Sequence, residues 1–137
     1  MEGVRMVTKD GTLYALFFRG TLRVEGVKFL TPPELPMQLG LMEHPAGHRV
    51  EPHQHPAQPY DVRTMSEFLF IERGKIKATV YDEEWNVLGE ETLGPSDFLL
   101  FLRGGHSIEV LEAGRFLEVK QGPFPGDAKA KTYLTHA

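Results

Sequence analysis

The chain has 137 residues, no cysteine and a formal net charge of −4 at pH 7. A single domain with a real core fits that length, while the missing cysteines exclude disulfides and thiolate metal sites. The acidic balance leaves no electrostatic footprint for nucleic acid and no Lys/Arg cluster for an anionic membrane surface. No apolar run approaches the ~20 residues that span a bilayer. The start, Met1-Glu2-Gly3-Val4-Arg5, lacks the apolar stretch of a signal peptide. A cytoplasmic protein is expected.

The apolar runs are short, and Gly, Pro or acidic turns separate them as in an all-β sandwich or barrel. Leu13–Phe18, after the turn Asp10-Gly11, reads as a strand apolar on both faces. Either one face packs on the barrel while the other meets a second subunit, or both are buried in the monomer. Residues 21–30 read as a second strand, weakened by Gly26, and Thr31–Pro36 is irregular because its three prolines remove backbone donors. Met37–Met42 is a predicted strand, with a turn at Pro45-Ala46-Gly47.

Arg49–His55 is predicted as the next strand, with positions 49, 51, 53 and 55 on one polar face. Pro56–Ser66 is a loop. Glu67–Arg73 alternates, with Phe68 and Phe70 opposite Glu67, Leu69 and Ile71. Gly74 is expected to turn the chain into Lys75–Tyr81. Asp82–Asn86 is an acidic hairpin loop, and Val87–Thr92 returns from it. Phe98–Leu102 is apolar throughout and predicts a central strand. Ser107–Leu111 and Arg115–Gln121 are expected to form a last hairpin through Ala113-Gly114. The Pro-, Gly- and Lys-rich tail, residues 122–137, lies over the barrel or frays.

Side chains two apart on a strand share a face, so His53 and His55 can converge on one metal ion. His106, at the mouth of a strand after Gly104-Gly105, supplies a third imidazole. Three such ligands with an open side suit Zn, Fe, Mn, Ni or Cu. The ion would act as a Lewis acid, activate water or bind dioxygen. Glu67, on the face of Leu69 and Ile71, is the candidate fourth ligand. His44, His48 and His136 lack such a context and read as surface residues.

Gly47, then five residues, His53-Gln54-His55, and Glu67 followed after six residues by Gly74 resemble the first motif of the cupin superfamily. Gly94 to His106 resembles the second. The interval between His55 and Glu67, Pro56 to Ser66, is longer than that pattern allows. The resemblance implies a double-stranded β-helix, a jelly-roll barrel spanning residues 1–137 as one domain. It also implies a homodimer, with the N-terminal strands over residues 11–30 as the candidate interface. The metal ligands it implies are His53, His55, Glu67 and His106.

The runs Gly104–Glu112 and Glu118–Phe124 resemble a cupin subgroup found among genes for surface-polysaccharide or nucleotide-sugar metabolism. This implies a sugar or other small polar molecule as ligand. Arg63, Lys120 and Gln121 are candidates to hold an anionic or hydroxylated ligand. Each could instead be a solvated or edge-strand polar group. Tyr81 and Trp85 could stack on a sugar or serve in packing.

The expected function is a metal-dependent enzyme of the oxygenase or isomerase type, with a non-catalytic sugar-binding module as the alternative. Metal-free sugar epimerases of this fold use a His–Asp dyad with a tyrosine. His53 and Tyr81 have those residue types, and no aspartate is identified.

Overall fold

The computed structural model describes residues 1–135; His136, read above as a surface residue, lies outside them. The chain forms two compact units, Met1–Leu22 with Thr64 onward, and Arg23–Arg63.

The first unit is built on one antiparallel sheet of six strands. Strands β1 (Val4–Lys9) and β2 (Thr12–Phe18) form a hairpin through Asp10-Gly11, both at positive φ. That dipeptide suits a tight hairpin because Asp and Gly tolerate the left-handed region. The sequence reading missed β1, although a hairpin turn needs a strand on each side. Two further strands, β3 (Gly26–Phe29) and β4 (Gly40–Glu43), belong to the second unit. The sheet continues with β5 (Glu67–Tyr81), β6 (Val87–Leu93), β7 (Phe98–Phe101) and β8 (Gly105–Lys120).

Strand β7 lies between β2 and the first half of β5. The second half of β5 pairs with β6, and β8 runs along the whole of its other edge. The sheet curls until its ends meet. Arg5 of β1 donates to the Glu90 carbonyl of β6 at 2.6 Å and pairs with the Glu91 carboxylate at 2.6 Å. Arg19 also pairs with Glu91, and with Asp97 at 3.0 Å.

Two expected turns are absent. Gly74 does not end a strand, and Ala113-Gly114 does not close a hairpin. Instead β5 and β8 each run straight through, with register shifts around Arg73 and Lys75. The reason is a close approach of two glycines. A Cβ on Gly74 would sit 2.6 Å from the Gly114 Cα, and Gly74 has a φ of 87°. With no side chain on either, the paired strands bend together as one ribbon.

The bend lets the halves of the ribbon share a core. Leu69, Ile71 and Leu99 come from one side of it; Ile76, Ala78, Val80 and Leu93 come from the other. Every one of these seven is at most 7% exposed. Tyr14–Phe18 are buried within the monomer, which favours the second of the two readings of that strand.

In the second unit β3 pairs antiparallel with β4. Residues 21–25 are not strand, so the predicted element is confined to Gly26–Phe29. The proline-rich loop between the two strands is closed by Gln38, whose amide nitrogen donates to the carbonyls of Pro32 and Leu35, both at 2.9 Å. A side-chain donor thus replaces those the prolines lack.

Arg49–His55, expected as a strand, has no regular structure. Pro52 and Pro56 remove backbone donors, and the alternate polar side chains offer no apolar face to bury. No helix among the described residues is long and apolar enough to cross a membrane. Among the described residues the one helix, α1 (Asp127–Ala130), is a single turn in the tail.

Candidate functional site

A cavity of about 430 Å³ opens in the first unit where the ends of β5, β7 and β8 converge. Glu67 begins β5, and its cross-strand partners are Phe101, ending β7, and Lys120, ending β8. His106 lies near the start of β8, opposite Val80 at the far end of β5. Val80 lies thirteen positions beyond Glu67, on the order of 40 Å along a straight strand. Yet His106 Nε2 lies 3.3 Å from Glu67 Oε2. The ribbon's bend at Gly74 and Gly114 therefore brings its two ends together.

The His106 ring stacks on Phe101, with centroids 3.9 Å apart and planes 2° from parallel. Its plane is thus held by apolar packing and one nitrogen by a carboxylate. Both side chains are partly screened, His106 30% and Glu67 21% exposed. The His106 imidazole, aided by a hydrogen bond from Glu118 and the charge of Lys120, holds the Glu67 carboxyl below its usual range against the effect of burial. Glu118 moves the other way. Its hydrogen bond to Glu67, its partial burial and the Glu67 charge push its carboxyl up.

The opposite wall is set by the loop after β5. Asp82 is buried, accepts from the backbone N–H groups of Glu84 and Asn86 at 3.0 and 2.9 Å, and pairs with Lys9 at 2.7 Å. This cage holds Trp85 at a φ of 68°. The indole covers Gly105, where a Cβ would sit 2.6 Å from the ring. Trp85 meets Tyr81 edge-on at 5.8 Å, and the Tyr81 hydroxyl lies 3.1 Å from Ser107 Oγ. Arg103, unforeseen from sequence, lines the cavity while its Nε donates to Glu83 at 2.7 Å. Its position three residues before His106, beside Gly104-Gly105, was the available signal.

Of the residues expected at a site, Glu67, His106, Tyr81 and Lys120 line this cavity. Gln121 adjoins it: its backbone N–H donates to the Ser66 carbonyl at 3.1 Å. The Gln121 Oε1 and Ser66 Oγ atoms are buried without hydrogen-bond partners among the described residues.

His53, His55 and Arg63 belong to the second unit and are exposed there. The two imidazoles stand edge-to-face at 5.0 Å, and His53 Nδ1 lies 2.8 Å from the Glu51 carbonyl oxygen. Arg63 pairs with Asp61 at 3.0 Å. His44 and His48, exposed as expected, stack at 3.8 Å. Among the described residues no three His, Asp or Glu side chains come together closely enough to hold an ion. Glu67 and His106 supply two donors, whereas an open catalytic site takes three protein ligands.

No family model, no curated protein and no solved structure matches the chain.

Proposed function

We propose that this protein is a cupin-type enzyme of the isomerase kind, using general acid–base chemistry on a small polar molecule such as a sugar derivative. The observation that carries this reading is the 3.3 Å approach of His106 Nε2 to the ionised Glu67 carboxylate in the cavity wall. An imidazole held this way keeps its Nε2 proton toward the carboxylate and leaves Nδ1 as the basic nitrogen. Glu67 then stabilises the imidazolium that forms when His106 takes a proton.

The reaction class is proton transfer beside a carbonyl. Nδ1 removes a proton from carbon, and the C–H electron pair moves into the adjacent C–C bond as the carbonyl pair shifts to oxygen. The imidazolium then returns the proton on the same face to the former carbonyl carbon, the adjacent hydroxyl becomes the new carbonyl as its proton passes to the enolate oxygen, and the sum is an isomerisation. The dyad thus consists of His106 and Glu67, in place of the histidine and unidentified aspartate considered from sequence.

The test is deuterium incorporation from heavy water into a panel of reducing sugars and sugar acids, followed by NMR. His106→Asn should abolish exchange, and Glu67→Gln should slow it about 10²–10⁴-fold. Exchange that persists at the wild-type rate in His106→Asn would reject the assignment.

A metal-dependent enzyme is the second reading, favoured by the same contact, since an imidazole nitrogen and a carboxylate oxygen are both donors to divalent ions. Glu67 and His106 would then hold the ion, which would supply a Lewis acid. Elemental analysis should then find one transition metal per chain, lost in the Glu67→Gln, His106→Asn double variant. Metal content unaltered by that change would count against this reading.

A further inference from the structure

The charged groups lining the cavity are unequal in sign. Among the described residues lining it, Arg103, Lys120 and Lys131 are cationic, and Glu67 is the one carboxylate. His106 holds Glu67 directly. A ligand therefore meets one acid–base pole and a surplus of positive charge. Lys120, at the end of β8, and Lys131, in the tail after α1, both line the cavity. Arg103 is tied to Glu83, beyond the Tyr14 hydroxyl that also donates to Glu83 at 2.6 Å.

We propose that the cavity takes a small organic anion, a sugar acid or sugar phosphate, whose charged group is held by Lys120 and Lys131 while its neutral end faces His106. This names the substrate class and rests on the acid–base reading of the same cavity.

The alternative is that each cation is already satisfied by a protein carboxylate. The distances argue against it for the two lysines. Lys120 Nζ is 3.9 Å from Glu118, and Lys131 Nζ is 3.5 Å from Asp127, both longer than a charge-assisted hydrogen bond. Lys131 is half exposed, and such surface pairs contribute little. A ligand carboxylate or phosphate can therefore replace them at small cost. Arg103 differs: its Nε sits 2.7 Å from Glu83, so it serves mainly to hold the wall.

Aromatic walls add selectivity for an organic anion over a bare ion. Phe101 and Trp85 line the cavity, and the Phe124 ring lies 4.9 Å from Lys120 Nζ.

Calorimetric titration of the full chain with glucuronate, glucose and inorganic phosphate tests the proposal. Glucuronate should bind and glucose should not. Inorganic phosphate should compete with glucuronate, and the affinity should fall as salt rises. The Lys120→Ala, Lys131→Ala double variant should bind glucuronate about tenfold or more weakly, as expected for loss of a charge-assisted contact. Lys120→Arg should retain binding, which separates a charge effect from misfolding.

Equal affinity for glucose and glucuronate, an affinity indifferent to the double substitution, or no binding of either anion at millimolar concentration would each overturn the proposal. Lysine-dependent binding with no deuterium exchange would leave this inference standing and remove the acid–base reading. Exchange that ignores the lysines would do the reverse.

Discussion

His106 and His53 are the same residue type, and each sits in a motif that reads as a ligand position. Their surroundings differ completely. His106 lies on a strand paired along its length with β5, stacked on Phe101 and set against Glu67. His53 lies on a stretch without strand structure, exposed, with its ring nitrogen near the carbonyl of Glu51 two residues away. A histidine becomes part of a site when neighbours distant in sequence screen it from water and orient it. The contrast extends to the regions around them: the β5–β8 ribbon carries a shared core, whereas residues 44–63 have no strand and are exposed throughout.

The largest test of that contrast is in the core. Leu99 is fully buried in β7, between β2 and β5. Leu99→Ala should cost about 2–5 kcal/mol in urea unfolding. Val50→Ala, at a position 60% exposed in the second unit, should stay within about 0.5 kcal/mol. Similar costs for the two would erase the distinction.

The bend comes next. Gly74→Ala forces a Cβ to within 2.6 Å of the Gly114 backbone, and overpacking of this kind costs roughly 1–3 kcal/mol. It should also separate the ribbon's ends. In proton NMR the His106 ring resonances, shifted upfield by the stacked Phe101, should move back toward random-coil positions. Unmoved resonances would mean that the bend does not depend on this glycine pair.

A smaller effect is expected at Asp82. Lys9 foremost, then Asn86, hold its carboxyl far below the usual carboxylate range despite burial. The folded state thus gains from the ionised form. That gain is complete well above the ordinary carboxylate pKa of about 3.9 and is lost progressively as the pH falls below it. Asp82→Asn should therefore lower Tm at pH 7, with the gap to wild type narrowing below about pH 4. A gap constant from pH 7 to pH 2 would contradict the linkage.

The smallest effect belongs to the second unit. Arg63→Ala removes an exposed pair with Asp61 and should alter stability by less than about 0.5 kcal/mol. A Tm fall of several degrees in a thermal scan would show that this loop is tied down.

Much of the sheet was legible in the residues themselves. The apolar run Phe98–Leu102 reads as a central strand, and β7 lies between two partners. The alternation of Phe68 and Phe70 with Leu69 and Ile71 marks the two faces of β5, and Leu69 and Ile71 are the more buried pair. Asp10-Gly11 and Gly94–Asp97 are turns. These features are local: they follow from backbone conformational preferences and a side-chain period of two.

The glycines show where that logic stops. Gly74 and Gly114 each permit a sharp turn, and each was expected to end a strand. Only the pairing of one with the other decides that both strands continue and bend together. The same holds for the polar face from Arg49 to His55, whose alternation matches a strand although two prolines and the lack of an apolar face leave it without one.

By itself the amino-acid sequence determined which segments are apolar enough to form strands, where the chain can turn, and that Glu67 and His106 are groups capable of chemistry. Their meeting at 3.3 Å was decided by the tertiary structure. Periodicity records which face a side chain takes, but it carries no information about how far a ribbon curls. That curl is set by long-range packing of the two halves of β5 and β8 against a common core.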